Sequence, residues 1–118
     1  MTDVAEILER AADLIEPEGK WTQGAFSRDA GGNCDDDLVA DKPACWCTLG
    51  AIAEVAHSKP NVSHAWIGDK VEAHAYKALS ALIGEDVPDW NDAPERKQSE
   101  VVAKLREAAA LARTQREA

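Results

Sequence analysis

The sequence runs to 118 residues with a formal net charge of -9. That length suits one compact domain able to bury a modest core without staples. The acidity disfavours nucleic acid as a partner, because its phosphates are repelled. Aromatic residues are few and Ala is abundant, which favours packed helices over sheets.

The charge is uneven. Residues 1–94 hold 7 Lys and Arg against 18 Asp and Glu, whereas residues 95–118 hold 6 against 4. An acidic body of this kind suits a protein partner with a basic surface, and at the least keeps the chain soluble. The start, Met1-Thr2-Asp3-Val4-Ala5-Glu6, is acidic and amphipathic, unlike a signal peptide. No apolar run is long enough to span a membrane. With Cys34, Cys45 and Cys47 an odd set, the expectation is a cytoplasmic protein with free thiols.

Residues 3–16 read as a first helix. Val4, Ile7, Leu8, Ala11, Ala12, Leu14 and Ile15 recur at helical spacing, Asp3 and Glu6 form a capping box, and Pro17 and Gly19 end the run. Residues 17–44 read as a long irregular loop rich in Gly, Asp and Asn, with Trp21 and Phe26 tucking it onto the body.

The stretch Cys45-Trp46-Cys47-Thr48-Leu49-Gly50-Ala51-Ile52 opens an almost unbroken apolar run. Apolar on most sides, it predicts a buried helix from about Cys47 to His57. Asp69 to Ile83 follows as a third helix, with Gly84 placed for a left-handed C-cap. Residues 85–90 read as a turn around Pro88. A last helix is predicted to start at the Asp92-Ala93-Pro94-Glu95 box, with Val101, Leu105, Ala108, Ala109 and Ala112 inward and Lys104, Arg106 and Glu107 outward. Residues 113–118 read as a frayed tail. The expected fold is all-α: residues 1–118 as one domain, four main helices around a buried central helix.

Four constellations carry candidate chemistry. Cys47 stands near a helix start, where partial positive charge favours a thiolate. Gln23 upstream and His57, His64, His74, Asn91 and Asp92 downstream follow the chain order of papain-like hydrolases. Those enzymes carry the base on a β-sheet, and no strand is predicted here. Cys34, Cys45, Cys47 and His57 could supply a zinc set, but without a paired C-x2-C knuckle. Asp29, Gly31, Asn33 and Asp35 alternate like a calcium loop that lacks its closing Glu, Ala40 standing there. No metal or other cofactor is therefore assigned.

The fourth constellation is aromatic. Trp21, Trp46, Trp66 and Trp90 all lie in connections or at helix starts. Converging, they would line a pocket with Gln23, Asn91 and Asp92 as polar points; otherwise each covers an edge of an Ala-rich core.

Three segments carry a resemblance: Trp21-Thr22-Gln23-Gly24-Ala25, Cys45 to Ile52, and Trp90-Asn91-Asp92-Ala93-Pro94-Glu95-Arg96. With Glu100-Val101 and Leu105 to Ala109, the chain resembles a family of small bacterial and phage proteins known as domain of unknown function 6197. The resemblance covers nearly the whole chain. It marks Trp21, Gln23, Gly24, Cys47, Gly50, Trp90, Asn91 and Asp92 as signature positions, and it implies no activity. The family's Thr before the acidic pair of the last helix is Lys97 here, which shifts the expected helix start to Asp92.

The reading that follows is a small acidic, non-enzymatic interaction protein, an accessory protein of phage or mobile-element origin. Trp21, Gln23, Trp46, Trp90, Asn91 and Asp92 are its binding candidates. A hydrolase using Cys47, or a metal-binding protein, is the alternative. The segments 21–24 and 90–92 are expected to lie against Cys45-Trp46-Cys47.

Overall fold

The computed structural model describes residues 4–24, 27–29, 31, 44–56 and 70–117. In chain order these form α1 (Val4–Ile15), β1 (Ser27–Arg28), β2 (Cys45–Trp46), α2 (Thr48–Ala56), α3 (Lys70–Ile83), α4 (Val87–Asn91) and α5 (Gln98–Glu117). The described residues are thus mostly helical, and none of their helices is long and apolar enough to cross a membrane.

The stripe on α1 behaves as its spacing requires. Ile7, Leu8, Ala11, Ala12 and Ile15 are buried, facing α5, α2 and α3. The most extensive packing is α1 against α5, so α1, more than the expected Cys47–His57 helix, is the hub. In α2, residues 48–53 are buried and Glu54 and Val55 emerge half-buried; His57 lies outside the described residues. Ala75 and Leu79 bring α3 into the same core, and Gly84 takes φ +77 as the expected C-cap, its N–H donating to the Ser80 carbonyl at 2.9 Å.

Two expected boundaries are corrected around α4. Residues 87–91 are a short helix with Pro88 in its first turn, where a missing N–H costs nothing, not a plain turn. The last helix begins at Gln98, not Asp92. Asp92 Oδ1 instead accepts from the Gly24 N–H and Asn91 Nδ2, both at 2.9 Å, so it is not free to cap a helix. The cap lies further on: Glu100 Oε1 accepts from the Lys97 N–H at 2.9 Å. This is the backbone half of a capping box and needs no Thr at position 97. At the other end the helix runs through Glu117, over most of the expected tail, with an Arg113–Glu9 ion pair at 3.0 Å.

The all-α expectation is also incomplete. β1 and β2 pair antiparallel, Ser27 opposite Trp46 and Arg28 opposite Cys45. Trp46 is bridged on its other side by Trp21: the Thr22 N–H donates to the Trp46 carbonyl and the Trp46 N–H to the Lys20 carbonyl, each at 2.9 Å. Residues 20–22 and Ser27, from the first part of the long loop, are thereby fixed to the residue before Cys47, and the Ala44 N–H at the loop's far end donates to the Arg28 carbonyl at 2.7 Å. The reason is general: backbone donors near a core must be paired, and a short ladder does it where no helix reaches.

The α1–α5 pair is antiparallel and its edge is charged. Arg106, expected on a solvated face, turns towards α1, with Glu9 at 2.6 Å, Asp13 at 3.0 Å and Glu16 at 3.2 Å. Gln98 Nε2 donates to the Ile15 and Pro17 carbonyls at 2.6 and 2.7 Å, closing the C-terminus of α1 from the start of α5. Replacing Arg106 with Ala is expected to cost about 1 kcal/mol in urea unfolding at low salt, because one fork serves three carboxylates. The loss should shrink in 1 M salt, where the Debye length falls to about 3 Å.

Candidate functional site: the Asn91 junction

The residues singled out by the sequence do converge, and Asn91 is where they meet. Its last-turn position on α4 places it against the start of α2, and it is 1% exposed. The Oδ1 accepts three bonds, from Trp21 Nε1 at 2.7 Å, Thr48 Oγ1 at 2.6 Å and the Thr48 N–H at 3.0 Å. The Nδ2 donates to the Thr22 carbonyl at 3.2 Å and to Asp92 Oδ1. The Thr48 N–H is one of the orphan donors at the α2 N-terminus, so Asn91 caps that helix from far along the chain.

Gln23 reinforces the junction. Its Nε2 donates to the carbonyls of Asn91 at 2.8 Å and Ala93 at 2.9 Å. Gly24 follows with φ +78, a conformation that favours glycine, and presents its N–H to Asp92. Arg28 braces the same turn, Nε donating to Thr22 Oγ1 at 3.0 Å and a terminal nitrogen to the Gln23 carbonyl at 3.2 Å.

The tryptophans take different parts. Trp21 is half-buried and spends its N–H on Asn91. Trp90 is buried, with the Arg96 guanidinium 4.2 Å from its ring centroid and Arg96 Nε donating to the Trp90 carbonyl at 3.0 Å. Trp46 is buried, and its Nε1 finds no acceptor among the described residues. Trp66 lies outside the described residues, as does Phe26. The segments 21–24 and 90–92 therefore lie against the Cys45–Thr48 stretch as expected, joined by hydrogen bonds that leave Asn91 no open position. Thr48, Thr22 and Arg28 complete the junction; Thr22 and Thr48 fall within the segments that carry the resemblance but were not among the site candidates, and Arg28 lies outside those segments. Thr48 at a helix start was the one available signal.

Cys47 sits beside this junction, 7% exposed, with its Sγ accepting from the Gly50 N–H at 3.2 Å. Burial pushes the thiol up to about 11, against the pull of the backbone donors at Gly50 and Leu49 and aided by the charge on Asp92. A nucleophile needs the opposite shift. The Gln23 amide, which would serve an oxyanion, donates to two carbonyls instead. His57 and His64 lie outside the described residues, and His74 is exposed on α3.

Of the residues considered for metals, Cys34, His57, Asn33 and Asp35 also lie outside the described residues. Asp29 Oδ1 accepts from the Gly31 N–H at 2.9 Å, a local turn contact. Among the described residues no group of three or more His, Cys, Asp and Glu is placed to hold a metal ion.

Compared with known proteins, residues 1–111 match the family model described as "Family of unknown function (DUF6197)". No curated protein and no solved structure matches the chain.

Proposed function

The chain belongs to this family of unknown function, and from that premise we propose that it is a small acidic, non-enzymatic interaction protein whose partner presents a basic surface. It would act as an accessory protein of phage or mobile-element origin. One observation carries the proposal. Glu85, Asp86, Asp89, Asp92 and Glu95 are all exposed within the short span around α4. The cation that follows them, Arg96, is turned onto Trp90 and the Trp90 carbonyl. The Asn91 junction holds this span against the body, so the carboxylates are presented on a fixed frame, which lowers the ordering cost of binding. On this reading Trp21, Gln23, Trp46, Trp90 and Asn91 serve binding by positioning, and Asp92 joins the acidic face.

The direct measurement is affinity capture at physiological and at 0.5 M salt, followed by titration of the recovered partner. A double charge reversal, Asp86→Lys with Asp89→Lys, is expected to weaken that partner about tenfold or more. Raised salt should weaken it in the same direction. If nothing basic is captured while the purified protein turns over thiol-reactive substrates, the proposal fails in favour of a Cys47 hydrolase.

A further inference from the structure

We draw no further inference here: the strongest candidate, the open groove between α3 and α5 lined by Ala78, Ala81, Leu82, Ala108, Leu111 and Ala112, is an unpartnered apolar face, and nothing in the structure shows what covers it.

Discussion

Asn91→Ala is expected to lower the unfolding free energy by about 3–5 kcal/mol, which is near the upper end for a single substitution. The loss comes from what stays behind. Trp21 Nε1, the Thr48 N–H and the Thr48 hydroxyl all donate to Asn91 Oδ1, and the last two are buried. Each donor left without a partner costs about 1–3 kcal/mol, reduced where water can enter beside the half-buried Trp21. Urea unfolding followed by Trp fluorescence reads the change directly. A loss under about 1 kcal/mol would mean that the junction does not hold these segments together.

Asn91→Asp sharpens the same test. It keeps the acceptor but replaces the Nδ2 donor with an oxygen facing Asp92 Oδ1, 2.9 Å away in the native protein. Two carboxylates so close cannot both ionise freely, so the new carboxyl has a raised folded pKa. A raised acid contributes stability below its unfolded pKa and loses it as pH rises. Relative to wild type the variant should therefore be best near pH 4 and worsen towards neutrality. A deficit that does not change with pH would place the damage in shape, not charge.

The Cys47 thiol should resist alkylation strongly. With its pKa raised from 9.0 to about 11, its thiolate fraction at pH 8 is about a hundredfold below that of an ordinary thiol. In a Cys34→Ser, Cys45→Ser background, iodoacetamide labelling should be slow at neutral pH and rise with pH towards 11 without a plateau near 7. The same shift governs alkaline stability. Between 9 and 11 the unfolded chain releases a proton that the folded chain retains, so stability is complete below 9 and falls as pH climbs through 11. The full loss is on the order of 2–3 kcal/mol, and Cys47→Ala should lack it. Rapid labelling with a plateau near pH 7 would reinstate Cys47 as a tuned nucleophile.

The helices were legible where one stripe does one job. Ile7, Leu8, Ala11, Ala12 and Ile15 recur at helical spacing and are buried together on α1. Gly84 ends α3 in the left-handed conformation that its position implied. Boundaries were misread where a polar residue had two uses. Asp92 has every local qualification for an N-cap, yet its oxygen serves Gly24 and Asn91, and Gln98 opens the helix. Arg106 looked solvated because its carboxylate partners lie 90 or more residues earlier, on α1 and just past its end.

The sequence by itself determined a mostly helical chain and an acidic body with a more basic last segment, while the family resemblance marked three segments, 21–25, 45–52 and 90–96, as its signature. Spacing, composition and charge are local quantities, and the chain states them directly. Only the tertiary structure decided what those segments do for one another. An Asn shows the same two polar atoms whether it faces a ligand or closes a core. Which it does depends on whether distant partners fill its bonding positions, and at Asn91 five hydrogen bonds fill them. The same holds for Cys47: a helix start would lower its pKa, but burial, which no neighbour in sequence reveals, raises it further than the helix can pull it down.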